Sequence, residues 1–164
     1  MHATKHSLPA QTRKAMVGLL QANLADSIDL GYQAKQAHWN VKGMNFIAVH
    51  KLFDELHEQV EGYVDLVAER LTALGGQAEG TVRAAAKQSR LPEYPLGLIE
   101  AHEHLEKLSD AFALFGTNAR KAIDEADEAG DQGTADLFTE IVRGTDESLY
   151  FLESHLQGWV PPAK

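Results

Sequence analysis

Apolar residues recur in steps of three and four along four long stretches of this chain, the periodicity of amphipathic helices. The first stretch, about 9–39, carries Val17, Leu20, Leu24 and Ile28 on one face, with Pro9 tolerated in a first turn. A connector at 41–44 is short enough to predict that the next helix returns antiparallel beside it. That second helix starts from Asn45 as N-cap. It runs through Phe46, Val49, Phe53, Leu56, Val60, Val64, Val67, Leu71 and Leu74, and Gly75-Gly76 stops it. A long crossover to about 96 follows, broken by Pro92 and Pro95, with 81–89 able to form a short helix. The third helix, about 98–129, shows Leu105, Leu108, Phe112, Phe115, Ala119 and Ile123. Gly130 and Gly133 then mark a tight turn into the fourth, about 134–157, with Phe138, Ile141, Leu149, Leu152 and Leu156.

Short, long and short connections between four helices predict an all-α, ferritin-like four-helix bundle whose one long crossover carries a short helix. No strand pattern, internal repeat or low-complexity segment competes, so residues 1–164 read as a single domain. Residues 1–8 are expected as a flexible N-terminal tail and 158–164 as a short non-helical C-terminal one. The chain has no cysteine, which excludes disulfides and thiolate metal sites and agrees with a reducing compartment. No leader-like apolar region opens it, and no apolar run reaches the ~20 residues of a membrane span, so a soluble cytoplasmic protein is expected. The formal charge of −9, from 24 acidic and 15 basic residues, repels nucleic acid wherever no basic element is presented locally.

The candidate chemistry lies in two imidazoles and three carboxylates. His50 and Asp54 are four residues apart, as are Asp65 and Glu69, so each pair shares a helix face. His38 ends the preceding helix, within reach of His50 once the connector folds back. At ~1.5 Å rise per residue, Asp65 lies about 16 Å along the helix from Asp54, too far for one metal ion to touch both. Two arrangements remain: two unrelated half-sites, or a second, antiparallel copy of the helix bringing its Asp65 and Glu69 against His50 and Asp54. The ligand stripe is turned roughly 130° from the apolar stripe, which favours the second. Mixed imidazole and carboxylate ligation suits iron, zinc or manganese.

The segment 37–46, Ala-His-Trp-Asn-Val-Lys-Gly-Met-Asn-Phe, followed by His50-x-x-x-Asp54 and Asp65-x-x-x-Glu69-Arg70, resembles the Dps family of dodecameric mini-ferritins over nearly the whole chain. That resemblance implies a hollow shell of twelve subunits with a ferroxidase centre at each two-fold interface. It assigns His38, His50 and Asp54 to one subunit and Asp65 and Glu69 to its partner, as both catalytic and metal-binding residues. Glu69 is the residue placed to bridge two metal positions. Iron, as Fe2+ and Fe3+, is the implied cofactor and cargo, with hydrogen peroxide the implied oxidant ahead of oxygen. The chain lacks the Glu-x-x-His motif of bundles that hold two irons within one subunit.

Weaker features follow from the same comparison. Asp131, Asp136 and Glu140 would form acidic rings about a three-fold axis and admit iron, though helix-dipole preference accounts equally for the first two. Glu55 and Glu58 are candidates for mineral nucleation on the luminal face, and Trp39 would stand beside the iron centre. His2 and His6 belong to the tail, whereas His57, His102, His104 and His155 read as structural or surface residues. The rival function is a nucleoid-associated, DNA-protecting protein. Only Lys5, Arg13 and Lys14 are positive in the first fourteen residues, so DNA binding is expected to be weak or absent.

Overall fold

The computed structural model describes residues 1–157; the C-terminal tail expected at 158–164 lies outside the described residues. Five helices follow in order: α1 Ala10–Asn40, α2 Phe46–Ala73, α3 Val82–Gln88, α4 Ala101–Glu128 and α5 Gln132–Leu156. The α1–α2 and α4–α5 hairpins pack into a four-helix bundle, and α3 rides on α1 within the crossover. Most of the apolar stripes read from the sequence form the core, with Phe53, Phe112, Phe115, Phe138, Leu20, Leu24 and Ile141 fully buried, whereas Phe46, at the exposed start of α2, lies outside it.

Helix ends form by distinct local means. Thr81 caps α3 by accepting the Ala84 N–H at 3.3 Å, and Asp131 caps α5 by accepting the Thr134 N–H at 3.1 Å. Asn45, expected to cap α2 through its side chain, makes no such bond. It takes the left-handed conformation (φ 63°), which asparagine tolerates, and its carbonyl accepts from Ala48 and Val49. At the far end of α2, Gly75 (φ 90°) turns the chain out. A Cβ on Gly76 would come within 2.8 Å of Val17 and closer still to Leu71, so glycine lets α1 and α2 close there.

The crossover is pinned by a buried carboxylate. Asp26, fully buried on α1, accepts from the Arg90 backbone N–H (2.8 Å), its guanidinium (2.7 and 3.0 Å) and Asn118 Nδ2 (3.1 Å). Four charge-assisted bonds offset the cost of burying this charge and tie the crossover to α1 and α4. The N-terminal segment also has anchors: His2 N–H donates to the Gly75 carbonyl at 2.6 Å, and Arg13 bonds the carbonyls of Leu8 and Leu74. No helix among the described residues is long and apolar enough to cross a membrane.

Candidate metal centre

The α1–α2 connector, turned by Gly43 (φ 101°) and Asn45, brings the last turn of α1 against the first turn of α2. His38 and His50 meet there in reciprocal fashion. His38 Nδ1 bonds the His50 carbonyl at 2.7 Å and His50 Nδ1 bonds the His38 carbonyl at 2.9 Å, with the rings stacked 3.7 Å apart. A carbonyl oxygen only accepts, so both Nδ1 atoms carry the proton. In each neutral ring the remaining lone pair is then on Nε2, the tautomer that a metal ligand needs. The bond to His38 O also satisfies one of the carbonyls that the end of α1 leaves without a helical partner. Phe46 packs against the outer ring, 4.9 Å from His50.

Asp54 lies one turn beyond His50, its Oδ1 3.9 Å from His38 Nδ1 and in a close ion pair with Lys35 of α1. The Lys35 hydrogen bond holds the Asp54 carboxyl below the usual carboxylate range, with desolvation opposing. Sequence reasoning missed Lys35. The available signal was its position one turn before His38, which places an ammonium over the same concavity. His38, His50 and Asp54 line a hollow of about 270 Å³ together with Glu55 and Glu58. The two glutamates assigned to mineral nucleation thus stand beside the histidine pair on a shared wall.

Asp65 and Glu69 are both exposed on α2. Asp65 lines a different groove, of about 490 Å³, with Tyr32, His57 and Glu61. The single chain therefore presents the five residues as two separated groups. Among the described residues no cluster of three or more His, Asp or Glu is arranged to hold a metal ion. Trp39 is 59% exposed directly beside His38.

The acidic residues near the third connection divide. Asp131 is buried, and its carboxylate is committed to the Thr134 N–H, the Thr134 hydroxyl (2.6 Å) and Arg70 (2.5 Å). The dipole-and-cap explanation accounts for this residue in the chain, which leaves Asp136 and Glu140 as the exposed members of the three. His104, read as structural, is buried: its Nε2 bonds the Leu98 carbonyl and its Nδ1 meets the Tyr94 hydroxyl at 2.7 Å. The His2 backbone holds the N-terminus to Gly75, and His6 Nδ1 accepts the Leu8 N–H at 3.2 Å.

A ferritin-like bundle whose first hairpin holds paired, metal-ready imidazoles defines the class of protein. The ferritin-like domain family matches residues 17–159. The chain is 44% identical over 156 residues, 95% of its length and 96% of the relative's, to the DNA protection during starvation protein of Agrobacterium fabrum. Its structure is similar to the Dps of Mycobacterium smegmatis (TM-score 0.91, 31% identity, 95% of each chain) and to a Dps protein from Bacillus brevis (TM-score 0.84, 30% identity, 90% and 98%). The chain belongs to the Dps family of ferritin-like proteins.

Proposed function

We propose that this protein is an iron-storing ferroxidase that assembles as a shell of twelve copies. Each oxidation centre would be completed by His38, His50 and Asp54 of one chain and Asp65 and Glu69 of a second. The observation that carries this reading is the reciprocal His38–His50 pair, which presets two Nε2 lone pairs on the wall shared with Asp54. The exposed Asp65–Glu69 pair, about 16 Å along the same helix, supplies hard anionic donors that join no metal-binding cluster among the described residues of their own chain.

Iron is the substrate and the cargo. Neutral imidazoles hold Fe(II), and carboxylates stabilise Fe(III), so the donor set favours loss of one electron from each ferrous ion. Two Fe(II) ions supply the two electrons that cleave the O–O bond of hydrogen peroxide; with two protons the products are two Fe(III) and two water molecules. Pairing the electrons in this way avoids the one-electron route to hydroxyl radical. Asp136 and Glu140 would concentrate Fe(II) at a three-fold pore, and Glu55 and Glu58 would nucleate ferric mineral. Stopped-flow oxidation of Fe(II) by peroxide tests the reading: the His38→Ala/His50→Ala variant should assemble yet oxidise iron no faster than buffer. Wild-type rates in that variant would refute it.

DNA protection is the second reading, favoured by the name of the Agrobacterium fabrum relative. Arg13 is engaged with the carbonyls of Leu8 and Leu74, leaving Lys5 and Lys14 exposed in the N-terminal segment of a chain of charge −9. Two N-terminal cations per chain provide little counterion release. Gel-shift assays should accordingly show no retardation of duplex DNA at physiological salt and pH 7.5.

A further inference from the structure

The end of the crossover is clamped by one buried imidazole. His104 of α4 is 1% exposed and touches two crossover residues at once: Nε2 meets the Leu98 carbonyl at 3.1 Å and Nδ1 meets the Tyr94 hydroxyl at 2.7 Å. A carbonyl only accepts, so Nε2 carries the proton and Nδ1 accepts from Tyr94. This is the opposite tautomer to that of His38 and His50. Gly97 (φ 93°), between the two contacts, lets the segment 94–98 curl around the ring.

Two steps of backbone connect this clamp to the candidate metal centre. Leu98, held by the ring, is followed by Ile99, whose carbonyl accepts the Lys42 N–H at 2.8 Å. Lys42 lies in the connector between His38 and His50, whose rings are each oriented by the other's carbonyl. The seating of Leu98 and Ile99 therefore bears on where the connector holds both imidazoles.

The ring keeps this role only while neutral. A second proton, on Nδ1, would turn Tyr94 from donor into acceptor and leave its hydroxyl proton without a partner, away from water. Burial pushes the His104 imidazole below its ordinary pKa and the Tyr94 hydroxyl above, so the phenol gives up no proton in compensation. The surroundings offer a charged ring little. Phe53 faces it from α2 (ring centroids 6.2 Å apart) and Tyr94 from the crossover, while Glu103 on α4 is the carboxylate that favours the charged form.

We propose that His104 is a positioning residue for the metal centre: it clamps Tyr94 and Leu98, holds Ile99 against Lys42, and releases the connector when acid protonates it. The link to iron oxidation rests on the ferroxidase reading; the clamp itself does not.

Hydrogen exchange of the assembled protein between pH 7.5 and 4.5, followed by mass spectrometry and corrected for the chemical exchange rate, tests the clamp. In the wild type the amides of the connector 41–45 should exchange about fivefold faster at the acid end, as expected for loss of one hydrogen bond. His104→Gln supplies an acceptor for Tyr94 and a donor for Leu98 but takes up no proton, so the acid rise should vanish. Tyr94→Phe leaves Nδ1 without its donor, which eases protonation, so the rise should move to higher pH. Light scattering confirms assembly throughout. Wild-type exchange at every pH in either variant overturns the proposal. Peroxide-driven Fe(II) oxidation by the same three proteins tests the positioning role, since its loss in acid should follow each protein's exchange profile. Identical oxidation profiles despite altered exchange would overturn that role. Exchange that follows the variants while no form oxidises iron would overturn the ferroxidase reading and support the clamp.

Discussion

If each oxidation centre is shared, two defective chains should repair one another. Consider one variant with His38→Ala and Asp54→Ala and a second with Asp65→Ala and Glu69→Ala. Alone, each should form shells in which every centre lacks two of five ligands, and rapid Fe(II) oxidation should be lost. The geometry sets the yield of the mixture. Asp54 and Asp65 of one chain are separated by about 16 Å of helix rise and therefore serve different centres. A mixed two-fold dimer thus has one centre with all five ligands and one with a single ligand, His50. Random pairing of equal amounts makes about half of the dimers mixed, so roughly a quarter of all centres regain a full set. Coexpression of the two variants with different affinity tags, tandem purification to verify mixed dimers, and stopped-flow oxidation by peroxide measure that fraction. Verified mixed dimers with no recovery would refute the shared centre and require the ligands to be regrouped within single chains.

Lys35→Met should free the Asp54 carboxylate from its ion pair and tighten Fe(II) binding by up to about fivefold, since partly exposed pairs are worth ~0.2–1 kcal/mol; weaker binding by calorimetry would show that Lys35 supports the centre instead. Asp136→Asn with Glu140→Gln should slow iron uptake without disturbing assembly, and uptake traces matching the wild type would reduce them to solvated helix residues. Asp131→Ala should instead lower the melting temperature, by removing the cap and the ion-pair partner of Arg70, which keeps only its bond to the Thr134 hydroxyl, at a cost of about 1–3 kcal/mol. Burial pushes the His104 imidazole below its ordinary pKa, so on acidification the unfolded chain takes up a proton before the native one does. Stability should then fall as pH drops below about 6.5, by at most about 1.4 kcal/mol per unit per chain, and level off once the native ring also titrates. Thermal melts of His104→Gln between pH 7.5 and 5 should show a shallower decline than wild type.

The bundle was legible because its determinants are periodic and local. Apolar steps of three and four marked α1, α2, α4 and α5, and the Thr81 cap and the prolines at 92 and 95 bounded the short helix of the crossover. Asp26 escaped notice as the anchor of that crossover because its partners, Arg90 and Asn118, are 64 and 92 residues away. Distance in sequence explains the Asp131 outcome too: position at a helix start was visible, but the salt bridge that fixes it comes from Arg70, 61 residues earlier. Within the candidate centre, residue types and spacing were readable. The tautomers were not, because they depend on which backbone carbonyls the connector presents to each ring.

That dependence makes the connector part of the chemistry. His38 and His50 belong to different helices, and each ring is oriented by the other residue's backbone, so a small change in hairpin geometry would release both at once. The connector is fixed independently: Lys42 N–H donates to the Ile99 carbonyl at 2.8 Å, tying the α1–α2 corner to the end of the crossover. A rigid imidazole pair with mobile carboxylate partners would fail to hold two cations in register, yet Asp65 and Glu69 sit on a long helix braced by the core contacts of Val60, Val67 and Leu71. Both halves of the proposed centre are therefore preorganised before a second chain arrives. On the shared-centre reading, association would have only to bring two rigid helical surfaces together, and one helix could then contribute opposite halves to two separate centres.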